Sequence, residues 1–104
     1  MRREGRFLVG GVVKRTEGWS LLVGEVEEGA LLYRGLVHFG VGPRLAEALT
    51  GNGLVRSTSP FAERVPVRAA IWLEPRLTAE ISYAEILHGG SLRAGVFRSF
   101  VAHT

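Results

Sequence analysis

Apolar and polar residues alternate along the first third of the chain with a period of two, which is typical of β-strands. The first such segment covers residues 6–15, the second covers residues 19–27 and the third covers residues 30–39. Glu28-Gly29, between the second and third segments, is typical of a tight hairpin turn. Three strands joined by short connections predict an antiparallel meander.

The alternation also predicts which side chains of the meander face a core, because successive residues of a strand point to opposite sides. The residues expected on the core side are Phe7, Val9, Val13, Trp19, Leu21, Val23, Leu31, Tyr33, Val37 and Phe39. Arg34 and His38 fall on the opposite side of the third segment, so both are expected to point away from that core.

The period changes to that of a helix after the third segment. Pro43 suits the first helical position and Gly51 suits the C-terminal end. The apolar residues between them that share a helical face are Leu45, Ala48 and Leu49. Residues 51–66 then have the composition of a loop, so we expect one short helix followed by a long connection.

Two further strands are predicted in the second half of the chain, over residues 67–73 and 77–87. Residues 88–90 form a turn, and residues 91–101 form a sixth strand or an extended tail. Three strands, one helix and two strands is the order of the oligonucleotide/oligosaccharide-binding (OB) fold. We therefore expect a mainly β domain over residues 1–104. It would be a five-stranded antiparallel OB barrel with one short helix between strands 3 and 4; an SH3-like barrel, the main alternative, would not need that helix.

Composition limits the classes of protein that the chain can belong to. Hydrophobic residues make up 46% of the sequence, too many for a disordered tail. The apolar run at residues 7–13 is short and contains two glycines, so it makes a poor signal peptide. The chain has no cysteine, which excludes disulfides and thiolate metal sites. These features predict a cytoplasmic domain that does not enter a membrane.

The charge of the chain is weakly positive, and almost all of it comes from arginine. Thirteen basic residues against ten acidic ones give a net charge of +3, and Lys14 is the only lysine. Arginine presents a planar fork of donors that matches phosphate oxygens, so this bias favours contact with a polyanion. A charge of +3 is also ordinary for a soluble domain, and that interpretation stays open.

The residue patterns of common catalytic sites are absent from the sequence. It has no phosphate-binding Gly-Lys-Ser/Thr loop and no zinc-binding His-Glu-x-x-His motif. The three histidines are widely separated and are expected on the surface: His38, His88 and His103. Glu80 and Glu85 fall on opposite faces of a predicted strand and cannot act as a carboxylate pair. We predict no catalytic residue and no metal site in this chain.

Basic residues lie on or near several predicted strands, with aromatic residues between some of them. The basic residues are Arg6, Lys14, Arg15, Arg34, Arg93 and Arg98, and the aromatic residues are Tyr33, Phe97 and Phe100. OB barrels bind nucleic acid through cations on phosphates and aromatic rings on bases. The alternative is that the aromatic residues belong to the core, which is favoured for Tyr33 because it shares a face with Leu31.

A second, ordered set of residues extends over nearly the whole chain. It consists of Phe7 to Gly11, Trp19 to Gly24, Tyr33 to Val37, Gly40, Gly42, Ser59-Pro60-Phe61, Trp72, Pro75, Leu77, Ala79, Glu80, Tyr83, Glu85, Leu92, Arg93 and Phe97. This set resembles the C-terminal OB-fold domain of bacterial ATP-dependent DNA ligases, of the type that acts in non-homologous end joining.

The resemblance implies a role in DNA repair and recombination as one half of a two-domain enzyme. The other half, an adenylating nucleotidyltransferase domain, would carry the lysine that takes AMP from ATP with Mg²⁺. The barrel would close on that domain and then clamp nicked or broken duplex DNA. This chain lacks the Lys-x-Asp-Gly motif of the adenylating domain, so we expect it to bind no cofactor itself and to be inactive alone. The expected location is the bacterial cytoplasm, with activity on the nucleoid.

One departure from the family pattern limits what the resemblance implies for individual residues. The family's barrel ends in an Arg-x-Asp-Lys element that orients the pyrophosphate of ATP, whereas this chain ends in Val101-Ala102-His103-Thr104. No catalytic residue is therefore assigned. The residues predicted to bind DNA are Lys14, Arg15, Arg34, Arg93 and Arg98. Two other functions stay open, a stand-alone single-stranded nucleic-acid-binding module and a protein–protein adaptor.

Overall fold

The alternating segments become strands of a curled antiparallel sheet in the computed structural model, which describes residues 1–101. The elements are β1 (Arg3–Arg15), β2 (Gly18–Glu27), β3 (Ala30–Val37), α1 (Pro43–Thr50), β4 (Val55–Arg56), β5 (Ile71–Leu73), β6 (Thr78–Tyr83), β7 (Glu85–Ile86), β8 (Leu92–Arg93) and β9 (Val96–Phe100). Seven strands share one sheet, and β7 and β8 form a separate hairpin. His103 and most of the Val101–Thr104 stretch lie outside the described residues.

The first three strands form the predicted antiparallel meander, β1–β2–β3. At the β2–β3 turn Glu28 has φ +50° and Gly29 has φ +81°. Positive φ at both central residues is the geometry of a type I′ turn, whose twist matches that of the flanking strands. Local turn chemistry therefore sets the register of this hairpin, as the sequence predicted.

The sheet curls because the long central strand β1 pairs with different neighbours along its length. Its N-terminal half pairs with β6, which in turn pairs with β9, while Gly11 and Val12 pair with β5. The ring of strands meets where Phe39, just after β3, forms a parallel bridge to Val96 of β9. The amide of Phe97 donates to the Phe39 carbonyl over 2.9 Å at this point. One bridge joins the two edges, so the barrel is partly open.

This topology confirms the OB-like fold class and corrects the assignment of its last two strands. The fourth strand of the barrel is β6, whereas its sequence pattern predicts a fifth strand. The fifth strand is β9, for which the sequence predicts a sixth strand or an extended tail. The segment 67–73, predicted as the fourth strand, is strand only from Ile71, where it makes a short ladder with β4 and β1. Alternation within a segment does not reveal its partner, which is why the order was misassigned.

The β1–β2–β3 sheet is covered on both faces. The inner cluster fills the barrel and contains Phe7, Val9, Val12, Leu21, Val23, Val37, Leu49, Leu73, Ala79, Ile81, Tyr83 and Leu92. The outer cluster lies under the loop that follows α1 and contains Val13, Leu22, Leu31, Phe61 and Val65, with Tyr33, Leu36 and Trp72 packed against it. The meander thus carries two apolar layers, whereas the sequence predicted one.

Two bulges explain which predicted core residues change face. In β1 the register shifts between Val9 and Gly11, so Val13 packs in the outer cluster although Val9 lies in the inner one. In β3 the shift falls at Arg34, so Tyr33 packs outward while Val37 packs inward. An extra residue in one strand reverses the side-chain alternation beyond it. The prediction that these residues share one face was therefore wrong.

The helix forms as predicted and packs against the inner cluster. Pro43 begins it, and the amide of Gly51 donates to the Glu47 carbonyl over 2.9 Å at its end. Leu45 and Leu49 pack against the inner cluster, but Ala46 is the buried alanine and the predicted Ala48 is exposed. No helix among residues 1–101 is long and apolar enough to cross a membrane.

Phe61 fixes the loop that covers the outer face. Its ring stands edge-on to Tyr33 at 5.3 Å and to Trp72 at 6.2 Å between ring centroids. A methyl group on Gly10 would lie 2.5 Å from the ring, and one on Gly24 would lie 2.8 Å from it. These two glycines leave the space into which the ring fits, which gives a physical reason for both at mid-strand.

Candidate nucleic-acid interface

An open groove of about 1030 Å³ lies beside the β1–β2 turn. Its walls come from three parts of the chain: the turn with the strand ends next to it, the end of β3, and the covering loop at residues 66–68. The lining residues used below are Lys14, Arg15, Trp19, His38, Phe39 and Arg68. The groove is therefore built by tertiary contact between segments about 50 residues apart.

Cations dominate the charge of the groove. Lys14, Arg15 and Arg68 line it and are exposed, and Glu17 is the one acidic residue among its lining residues. Within residues 1–101, none of the three cations lies within 4.0 Å of a carboxylate. Their charges are thus uncompensated by ion pairs, which favours an anionic ligand.

Aromatic and hydrogen-bonding groups lie between these charges. Trp19 is half-buried and packs against the inner cluster, and Lys14 Nζ lies 5.9 Å from the centroid of its ring. His38 is exposed, and its Nδ1 lies 2.6 Å from the hydroxyl of the buried Ser20. Phe39 is 61% exposed, although the sequence had placed it in the core. The groove thus combines charge, hydrogen-bonding groups and accessible aromatic surface.

Arg34 points away from the outer cluster as predicted, but its guanidinium is already engaged. Nε lies 3.1 Å from Glu25 and Nη2 lies 2.5 Å from Glu27, and only 17% of the side chain is exposed. Burial lowers the pKa of Arg34, but the hydrogen bonds and charges of the two glutamates outweigh it, so its pKa is raised. This arginine stays charged and bridges two carboxylates.

The other two predicted contacts lie on the later strands. Arg93, on β8, is exposed and pairs with Glu85 on β7, with 2.6 Å between Nε and Oε2. Arg98 lies at the bulge of β9, is exposed, and has no ion pair within residues 1–101. Neither lines the groove, so the structure brings together two of the five predicted residues, Lys14 and Arg15.

Sequence reasoning missed Arg68 and assigned two aromatic residues of the groove to the core. Arg68 lies in a segment predicted to be strand, and nothing local indicates that this segment turns back over the end of β3. Trp19 was placed correctly against the core, but its ring also lines the groove. Phe39 lies beyond the end of β3, so its ring is exposed rather than part of the core that the alternation predicts.

The acidic side chains and histidines of the described residues do not cluster in a way that suits a metal ion. Within residues 1–101, no group of three or more His, Cys, Asp or Glu side chains could hold a metal ion. Glu80 instead faces Arg6, at 3.4 Å between Oε1 and Nε. Residues 1–101 therefore do not fit Mg²⁺, and no step through a metal ion is derived for them.

The groove includes one end of the ligand face of OB folds, the end next to the loop between strands 1 and 2. In that class, oligonucleotides bind across strands 2 and 3 and against the loop between strands 1 and 2. The groove lies on that loop, on the first residues of β2 and on the residues after β3. Fold and groove together define an OB-type barrel with a cationic face.

The sequence places this barrel within one family. Residues 14–101 match the family model described as the ATP-dependent DNA ligase C-terminal region. The chain belongs to that family and is a domain of an ATP-dependent DNA ligase. The resemblance seen in the ordered sequence motifs is thereby confirmed.

Two solved structures are similar over almost the whole chain. The ligase domain of LigD from M. tuberculosis has 27% sequence identity and a TM-score of 0.83, and the match covers 96% of this chain and 35% of that one. A mycobacterial DNA ligase D complexed with ATP and MES has 28% identity and a TM-score of 0.80, with coverage of 98% and 35%. This chain thus spans about a third of each. Comparison with curated protein sequences gave no significant match.

Proposed function

We propose that this chain is the DNA-binding OB domain of its ligase, which holds nicked or broken duplex DNA during strand joining in repair by end joining. In this proposal the domain, residues 1–104, closes on an adenylating domain that supplies ATP and Mg²⁺ chemistry. The chain spans about 35% of the similar ligase domains, which leaves room in the parent for that partner. The parent would act on the nucleoid in the bacterial cytoplasm.

The observation that carries this proposal is a set of three cations around the groove, Lys14, Arg15 and Arg68, none of which has an ion pair among residues 1–101. Duplex DNA presents closely spaced phosphates, and each cation placed on a phosphate releases condensed counterions. Such contacts position the duplex without reading its sequence. A ligase domain that acts at any broken end needs such sequence-independent contacts to DNA.

The predicted residues should contribute unequally to the affinity for DNA. Lys14 and Arg15 would contribute most, together with Arg68. Arg98 would add to the grip if DNA extends along β9, because its charge is free within residues 1–101. Arg34 and Arg93 would contribute less, since their glutamate partners offset their charge before DNA arrives.

The test is fluorescence anisotropy of the 104-residue chain with nicked duplex DNA over a range of salt concentrations. Each phosphate contact adds about −0.9 to the slope of log affinity against log salt, so removing all three cations lowers the magnitude of the slope by about 2.7. Lys14→Ala, Arg15→Ala and Arg68→Ala are combined for this measurement. Arg76→Ala is the matched control, because Arg76 is exposed, has no ion pair within residues 1–101 and does not line the groove.

Two results would decide against the proposal. If the triple variant binds with the slope of the wild type, the groove is not the DNA site. If the wild type shows no salt-dependent binding to any DNA, the alternative of a protein–protein adaptor is favoured.

A further inference from the structure

Phe39 offers an aromatic ring that the fold leaves exposed in the groove. The side chain is 61% exposed, a large exposed fraction for a phenylalanine two residues beyond a core strand. It stands in the groove that Lys14, Arg15 and Arg68 line. An exposed aromatic ring beside several cations is the combination on which single-stranded nucleic acid binds, because bases stack on the ring and phosphates meet the charges.

The backbone under this ring is held firmly. Phe39 bridges Val96, and its carbonyl accepts the Phe97 amide over 2.9 Å. The next residue, Gly40, has φ +82°, and a Cβ there would lie 2.6 Å from the Phe97 carbonyl oxygen. The contact between the two sheet edges therefore fixes the backbone from which the ring projects.

The second ring of the groove is less available. Trp19 is half-buried against the inner cluster, and Lys14 lies above it at 5.9 Å from the ring centroid. The exposed ring of Phe39 is thus the better platform for a planar ligand. His38 lies next to it in sequence and uses Nδ1 toward Ser20, which leaves Nε2 available to a ligand.

A planar ring among cations suits one form of DNA better than another. Paired bases in a duplex are stacked on each other and present only their edges in the grooves. Unpaired bases have free faces, which stack on aromatic side chains while cations follow the phosphates. Since the groove holds both kinds of group, its chemistry matches an unpaired strand.

We infer that this groove binds the single-stranded extension of a broken DNA end, with a base stacked on Phe39 and phosphates on Lys14, Arg15 and Arg68. The inference rests on the proposed DNA-binding function and extends it: the three cations hold backbone phosphates of a nicked or blunt duplex, and at an end with an extension they hold the phosphates of the unpaired strand while Phe39 adds a stacked base. A broken end with an extension would therefore bind more tightly than a blunt end of the same duplex.

The experiment measures the ratio of two affinities for the 104-residue chain. One DNA is a blunt duplex, and the other is the same duplex with an unpaired extension of about six nucleotides, within the range that one OB fold covers. The wild type is expected to favour the extended DNA by about fivefold to a hundredfold, the range for one base–aromatic stack. An extension of abasic sites keeps the phosphates but removes the bases, and it should lose most of this preference.

Variants separate stacking from charge and from folding. Phe39→Leu should bring the ratio close to that of the abasic DNA, and Phe39→Tyr should keep the wild-type ratio. Phe100→Leu is the matched control, because Phe100 is a partly exposed phenylalanine of β9 that does not line the groove. Circular dichroism verifies that each variant is folded.

A wild-type ratio near one, or a ratio that Phe39→Leu leaves unchanged, would overturn the inference while the duplex-binding function could stand. Salt-independent or undetectable binding of both DNAs would instead remove the proposed function and this inference together.

Discussion

The contact between Gly10 and Phe61 gives a prediction about stability that the structure makes quantitative. A methyl group on Gly10 would lie 2.5 and 2.8 Å from Phe61 Cζ and Cε2, well inside van der Waals contact. Phe61 is 6% exposed and is held by the rings beside it, so it has little freedom to withdraw. We expect Gly10→Ala to destabilise the chain by about 2 kcal/mol, within the range for overpacking a core.

Phe61→Leu removes the very ring atoms that the new methyl group meets. Alone it should cost about 2 kcal/mol, from lost apolar contact and lost aromatic pairs. In that background Gly10→Ala should cost only a small part of this, because only Pro60 Cγ at 3.1 Å still crowds the methyl group. The favourable interaction energy between the two substitutions should therefore be somewhat below about 2 kcal/mol. The double variant should therefore be about as stable as Phe61→Leu alone.

Gly24→Ala is the matched control for this cycle. Its methyl group would also meet the Phe61 ring, but it would clash with the carbonyl oxygen of Leu32 as well. Backbone atoms of a paired strand cannot move aside, so Phe61→Leu should not rescue Gly24→Ala. Phe61→Leu should thus relieve the destabilisation by Gly10→Ala but not that by Gly24→Ala, although both glycines contact the same ring.

Urea unfolding followed by tryptophan fluorescence measures all of these variants, and Trp72 beside Phe61 provides a local signal. Changes in the midpoint at constant slope give the differences in free energy of unfolding. If Gly10→Ala lowers the free energy of unfolding equally with phenylalanine and with leucine at position 61, the clash with the ring does not cause the loss. The proposal that Gly10 leaves space for the Phe61 ring would then be wrong.

Three further predictions concern charge, ionisation and turn geometry. Arg34→Ala should destabilise the chain by about 1–2 kcal/mol in urea unfolding, because it leaves two neighbouring carboxylates unbridged. Arg34→Lys should recover only part of this stability, because an ammonium group cannot reach both carboxylates with separate donors as the guanidinium does. Full recovery by lysine would refute the bridging role of Arg34. Burial raises the pKa of Tyr33 above its ordinary value of 10.0, against the opposing charge of Arg15. The stability that neutral Tyr33 contributes is therefore complete below pH 10.0 and is lost as the pH rises through the raised pKa. Tyr33→Phe should unfold less than the wild type on alkaline titration. Equal unfolding of the two proteins would contradict the raised pKa. Glu28 has φ +50° beside Gly29, so Glu28→Asn should raise the free energy of unfolding by about 1 kcal/mol, and a loss of stability there would argue against the type I′ turn.

The elements that were predicted correctly depend on local chemistry. The β2–β3 hairpin follows from a two-residue turn that accepts positive φ, and the helix follows from Pro43 and Gly51 at its ends. The predicted end of the first strand also placed Lys14 and Arg15 together beside the β1–β2 turn, which is why the sequence could indicate two of the cations that line the groove.

What the sequence alone could not determine depends on pairing between distant segments. An extra residue at Arg34 reverses the faces of β3. The glycine after it, Gly35 with φ +112°, is a local sign of an irregular strand, but it does not show which residue is left unpaired. The same uncertainty misplaced the last two strands of the barrel, because alternation shows that a segment is half-buried but does not show against what.

By itself, then, the sequence determined the strand-rich class, the hairpin turns, the helix and the ligase family motifs. Only the tertiary structure decided that the loop at Arg68 returns to the β1–β2 turn and that barrel closure leaves Phe39 in solvent. The reason is that these features arise from contacts between residues far apart in the chain, and their geometry is set by the whole sheet rather than by any one segment.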